Sequence, residues 1–220
     1  MQPFATLADI ERLERTPLAQ TAPHRSPYAL IRAAAQRFPA REALTFLPDA
    51  SLDSAPRRIT YRALLAGIHR AANLFRSMGV GPDDAVAVLA PNTPEAHAAL
   101  WGAQLAGRVC PINTLLQPDH IASLMQAANA KALVALGPNA ELAVWPTALK
   151  AQALHPCALV PIAVDEAVPG LASLQALLSS NRCTAWVGEA PDRSAITSTK
   201  TCMLTGVMPV SFLWGMSQAI

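Results

Sequence analysis

Between residues 59 and 136 every change of hydrophobic period is punctuated, and this constrains the fold more than any other feature of the chain. Thr60 has the side chain of a helix cap, and Tyr61, Leu64, Leu65, Ile68, Ala72, Phe75 and Met78 then recur at steps of three and four, one face of an amphipathic helix. Gly79 ends that face, and Val80 supplies the apolar contact that accompanies a glycine C-cap. Gly81-Pro82-Asp83-Asp84 turns the chain into residues 85–89, Ala-Val-Ala-Val-Leu, apolar on both faces as a buried parallel strand requires. Thr93 caps the next helix, with Pro94 in its first turn and Glu95 at the positive end of its dipole, and Gly107 closes it. A strand over 109–112, a helix over 118–128 stopped by Asn129, and a strand over 131–136 complete the alternation. Strands joined by helices with short connections have one economical solution, right-handed crossovers onto a parallel sheet.

The flanks extend this pattern. Residues 1–25, with Pro3, Pro17 and Pro23 around a short helical pattern at 7–13, read as an N-terminal arm. Ser26-Pro27 starts a helix that Pro39 ends, and residues 42–47 and 57–60 flank a Pro/Asp/Ser-rich linker as an antiparallel pair. Downstream, residues 141–154 form a weaker helix that Pro146 either divides or starts. Residues 157–164 form a fourth strand and 171–178 a short helix. At Ser194 the character changes: to Ile220 there is no acidic residue, Lys200 is the one basic residue, and Met203, Met208 and Met216 are three of the chain's six methionines. The expected organisation is therefore an arm over 1–25, an α/β domain over 26–193, and an aberrant or disordered tail over 194–220. In that tail Phe212, Leu213 and Trp214 are consecutive and cannot share one buried face.

Composition excludes several function classes. With 52% hydrophobic and 15% charged residues the 220-residue chain is globular, and its net charge of +2, with arginines scattered singly, argues against a nucleic-acid partner. Cys110, Cys157, Cys183 and Cys202 form no C-x-x-C pair, so reduced thiols are expected, buried at 110 and 157. The first twenty residues lack an apolar core and carry Asp9, Glu11 and Glu14, and the apolar stretch 202–216 falls short of the roughly 20 residues a spanning helix needs. The expectation is a cytoplasmic protein with no transmembrane segment.

Candidate chemistry is sparse. Asn92 and Asn113 each follow the carboxyl end of a strand, where open parallel sheets bind ligands, and are candidate substrate residues; asparagines at such positions also commonly satisfy loop backbone groups. His69, His97 and His120 fall on helices with no Ser, Cys or Asp at triad spacing, and partly exposed helix histidines are expected. Trp101, Trp145, Trp186 and Trp214 read as core or interface aromatics. Gly79-Val80-Gly81 follows a helix and opens a strand, the inverse of a dinucleotide fingerprint.

Four motifs, Ile59-Thr60-Tyr61, Gly79-Val80-Gly81-Pro82-Asp83, Pro91-Asn92 and Pro111-Ile112-Asn113, stand in an order and at intervals that resemble the opening of AMP-forming acyl-CoA synthetases. The resemblance covers residues 26–178. It implies a parallel-sheet βαβ subdomain of the adenylate-forming enzyme large domain, incomplete in this chain. The function it implies is activation of a fatty or aryl carboxylic acid by Mg²⁺-ATP to an acyl-adenylate, then displacement of AMP by CoA. ATP, Mg²⁺ and CoA are the cofactors of the intact family, and none is expected for this chain alone. Such an enzyme holds the ATP phosphates in a Gly/Ser/Thr-rich loop ending in lysine. The nearest stretches, Thr197-Ser198-Thr199-Lys200-Thr201 and Leu204-Thr205-Gly206-Val207-Met208-Pro209, lack respectively the glycine and the lysine. The expectation is a truncated, inactive synthetase. A non-catalytic interaction or oligomerisation module, forming a homo-oligomer, and an unrelated small-ligand-binding α/β domain are the alternatives.

Overall fold

The structure is a computed structural model that describes residues 6–17, 20, 24, 26–49, 53–163, 165, 167–181 and 183–188. In chain order its elements are α1 (Leu7–Glu14), α2 (Pro27–Arg37), β1 (Glu42–Phe46), β2 (Arg57–Thr60), α3 (Tyr61–Ser77), β3 (Ala85–Leu89), α4 (Pro94–Ala106), β4 (Arg108–Pro111), α5 (Pro118–Ala127), β5 (Ala130–Leu136), α6 (Val144–Leu154), β6 (Ala158–Ile162) and α7 (Leu174–Ser180). The strands β3 to β6 form one sheet in the order β4-β3-β5-β6, every neighbouring pair parallel, and β1 pairs antiparallel with β2.

Caps chosen by the sequence set the helix starts. Ser26, Thr60 and Thr93 accept the backbone N–H of Ala29, Ala63 and Ala96 at 3.1, 3.3 and 3.2 Å, each satisfying a donor the first turn would leave orphaned. The end of α3 is a paired C-cap: Gly79 N–H donates to the Arg76 carbonyl and Val80 N–H to that of Phe75, both at 3.0 Å, with Gly79 at φ +84° and Val80 buried. Asn129 ends α5 in the left-handed region, at φ +55°.

Alternation along the strands builds two cores on the two faces of one sheet. Val86, Val88, Ala132, Val134, Val160 and Ile162 pack with Ile31 of α2, Leu64, Ile68 and Phe75 of α3, Ala99 and Ala103 of α4, and Leu174 of α7. Ala85, Ala87, Leu89, Leu133 and Ala135 pack with Ile121 and Met125 of α5 and with Val144, Trp145, Ala148 and Ala151 of α6. The result is a three-layer α/β arrangement with helices on both faces, the architecture that continuous apolar runs such as 85–89 demand.

The structure corrects four expectations. α6 is one helix from Val144, with Pro146 as its third residue; a first-turn N–H has no intrahelical acceptor, so proline is tolerated there and neither divides nor starts the helix. α7 begins at Leu174 because Ser173 caps it, accepting from Ala176 N–H at 3.2 Å, so residues 171–173 lie before the helix. His69 is buried, 8% exposed, where a partly exposed helix histidine was expected, because both ring nitrogens find partners inside the fold. Of the two cysteines expected to be buried, Cys110 is, whereas Cys157 is half-buried because it lies just before β6 and not inside it; Cys183 is exposed. Trp145 is buried, and Trp101 and Trp186 are half-buried against the first core. Cys202, Trp214, Lys200 and the whole tail 194–220 lie outside the described residues, as does Val164 at the end of the expected fourth strand.

Candidate functional site at the carboxyl edge of the sheet

The strand order creates one topological switch point. From β3 the chain passes to β4 on one side, and from β5 it passes to β6 on the other, so the connections leaving β3 and β5 diverge. In open parallel sheets the crevice outside the carboxyl ends of such a pair is where ligands bind. The β3–α4 connection is residues 90–93 and carries Asn92, which is exposed. Asn113 lies instead in the β4–α5 connection, beyond the edge strand, and is also exposed. The two candidate residues are thus on neighbouring loops, and only Asn92 borders the switch point. Asn113 Oδ1 accepts Leu115 N–H at 3.0 Å, an Asx turn that shapes its own loop.

Across the switch point stands a residue that the sequence reading passed over. Asn139, in the β5–α6 connection, accepts Glu141 N–H and Leu142 N–H on its Oδ1, both at 2.9 Å. It donates from Nδ2 to Asp165 Oδ2 at 3.0 Å, and Ala140 N–H donates to the same oxygen at 3.2 Å. These bonds tie the loop after β5 to the loop after β6, beside the switch point. The signal was Gly137-Pro138-Asn139, a turn sequence directly after a strand.

A groove of about 270 Å³ opens on the other side of α4, between β2, α3 and α7. Ile59, Leu64, Ala98 and Leu178 line it, and Arg57 and Glu95 stand at it as an ion pair of 2.6 Å in which the Glu95 side chain is only 12% exposed. An added carboxylate would have to displace Glu95 from Arg57 and leave a largely buried charge unpaired, so the groove suits an apolar group and disfavours an anion. Gln175 is not available to a ligand there: its side-chain amide donates to the Ala163 carbonyl at 2.8 Å and accepts Ala163 N–H at 3.1 Å.

Among the described residues no group of three or more His, Cys, Asp and Glu side chains could hold a metal ion. Both stretches with hydroxyls or a lysine that could meet phosphates, 197–201 and 204–209, lie outside the described residues. Likewise, no helix among the described residues is long and apolar enough to cross a membrane.

Comparison with known proteins decides the family. The model of the AMP-binding enzyme family matches residues 31–204. The chain belongs to that family. Within the AMP-binding enzymes it is 32% identical over 158 residues to the marinolic acid–CoA ligase of Pseudoalteromonas sp. (strain SANK 73390), a stretch covering 71% of this chain and 24% of that protein. Among solved structures, an anthranilate–CoA ligase in complex with anthranoyl-AMP superposes with a TM-score of 0.61 at 18% identity, over 82% of this chain and 30% of that one. An acyl-CoA synthetase from Brucella canis superposes with a TM-score of 0.56 at 23% identity, over 71% and 28%. The likeness to these solved structures is one of fold, a four-stranded parallel sheet flanked by helices. The chain spans about a quarter of the length of the curated relative it matches. An unrelated small-ligand domain is thereby set aside.

Proposed function

We propose that this chain is the sheet-forming amino-terminal part of a cytoplasmic AMP-forming acid–CoA ligase acting on a fatty or aryl carboxylic acid. The observation that carries the reading is the 32% identity over 158 residues to a CoA ligase, a stretch that covers 71% of this chain. The reaction class is attack of a carboxylate on the α-phosphate of ATP, which forms an acyl-adenylate and releases pyrophosphate; CoA thiolate then attacks the acyl carbon and releases AMP. In this reading the described residues supply a rigid sheet edge at the switch point, with Asn92 available to the substrate, while Asn113 shapes its loop. Phosphate charge is not handled by them, since neither a metal-holding cluster nor a glycine-lysine loop is among them. Inactivity of the described residues by themselves is part of the proposal. A homo-oligomeric or non-catalytic role has no specific observation in its favour.

A graft tests this reading. Residues 26–188 replace the matched stretch of the marinolic acid–CoA ligase, and acid-dependent CoA thioester is measured. The expected result is thioester formed by a chimera that melts cooperatively. A cooperatively melting chimera with no thioester would contradict the ligase reading.

A further inference from the structure

His69 joins three parts of the chain that are far apart in sequence. Its Nδ1 lies 2.7 Å from the backbone carbonyl of Thr184, and its Nε2 lies 3.1 Å from the Tyr28 hydroxyl of α2. A carbonyl oxygen only accepts, so Nδ1 carries the proton; in the neutral ring Nε2 then accepts from the Tyr28 hydroxyl. One turn along α3, Asn73 Nδ2 donates to the Ala185 carbonyl at 2.9 Å, and Asn181 Nδ2 donates back to the Arg70 carbonyl at 3.4 Å. Three positions of α3, residues 69, 70 and 73, thus hold residues 181, 184 and 185.

The held residues have little else to order them. Cys183, Thr184, Ala185, Val187 and Gly188 are exposed, and Trp186 alone among residues 183–188 packs half-buried against the first core. Among the described residues α7, which ends at Ser180, is the last helix or strand. Besides the packing of Trp186, polar contacts with α3 hold this stretch, and the shortest of them, 2.7 Å, comes from a buried imidazole that Tyr28 meets on its other nitrogen. Beyond Gly188 the family match continues to residue 204.

We infer that His69 is a positioning residue: with Asn73 it latches residues 181 and 183–188 onto α3 and so fixes where the described chain stands at Gly188, inside the family-matched region. The latch stands on the hydrogen bonds alone. Its purpose, to aim the stretch where an acid–CoA ligase handles phosphate, rests on the function proposed above.

The test uses the full chain and reads no activity, so its outcome is separate from that of the graft. An asparagine amide nitrogen reaches the place of Nδ1 and a glutamine amide nitrogen that of Nε2. Hydrogen exchange is measured by mass spectrometry on a peptide covering 183–188 and on one covering α3, in His69→Asn, His69→Gln and Asn73→Ala. In His69→Gln the 183–188 peptide is expected to exchange about tenfold faster, the loss of one hydrogen bond, while α3 stays protected; His69→Asn restores most of the protection. Asn73→Ala, at a half-buried site that does not endanger the core, also speeds exchange in 183–188 alone. Equal acceleration in the Asn and Gln variants, acceleration only in step with α3, or no change on Asn73→Ala would each overturn the latch. In the wild-type protein, imidazole ¹⁵N shifts are expected to report the Nδ1–H tautomer, and an Nε2–H ring would overturn it as well.

Discussion

Gly102 of α4 faces Ala71 of α3 so closely that a Cβ built on the glycine would lie 2.5 Å from the alanine Cβ, and 2.9 Å from Ala72 N. A glycine inside a helix costs about 0.5–1 kcal/mol relative to alanine, and the contact explains why it stands there. The two helices cross at backbone distance, and the fixed α3 atoms cannot rotate away. Gly102→Ala gains about 1 kcal/mol of helix propensity but meets overpacking of about 1–3 kcal/mol. The expected net effect is a lower melting temperature. A variant that melts above the wild type would show that the crossing relaxes easily.

Gly79 presents the opposite case. A Cβ at this position would meet nothing within 4 Å, yet its φ is +84°. The cost of Gly79→Ala is conformational only and is expected at about 1 kcal/mol. Because no neighbour is involved, Gly79→Asn should recover part of it. Equal melting curves for wild type and Gly79→Ala would show that the α3 cap tolerates a Cβ.

The cysteines should separate by reactivity. Burial pushes the Cys157 thiol up to about 11, although a hydrogen bond with the Leu133 backbone partly opposes the shift. Burial thus favours the protonated form in the folded chain. Its contribution to stability is intact below the ordinary thiol pKa and is lost as pH rises toward about 11, because the unfolded chain gives up that proton first. At pH 8 alkylation followed by peptide mapping should label exposed Cys183 before Cys157, with buried Cys110 last. Cys157 labelled as fast as Cys183 would contradict the burial.

Much of this was legible in the sequence because it is local. The Gly79 cap, the Thr60 and Thr93 caps and the run 85–89 each announce themselves within a few residues, and together they fix a parallel sheet before any contact is known. What stayed hidden depends on partners distant in the chain. His69 reads as an ordinary helix histidine until Thr184, 115 residues away, and Tyr28 are seen against it. Gly102 reads as a weak helix residue until α3 is placed beside it. Pro146 misled because its position relative to the helix start, which decides whether proline is tolerated, is set by the packing of Val144 and Trp145 on the second core. The candidate site was partly legible: the strand ends pointed to Asn92 and Asn113, but only the strand order shows that Asn92 borders the switch point, and only the fold brings Asn139 and Asp165 together across from it.

In the proposed function residues 26–188 are the scaffold of an acid-activating ligase and not its phosphate-handling part. The most direct test is pyrophosphate release by the purified chain with Mg²⁺-ATP and a panel of fatty and aromatic acids. In that reading release is expected to stay at the rate of the acid-free control for every acid. Acid-dependent release above that control, abolished by Lys200→Ala, would contradict the account and move the phosphate chemistry into this chain.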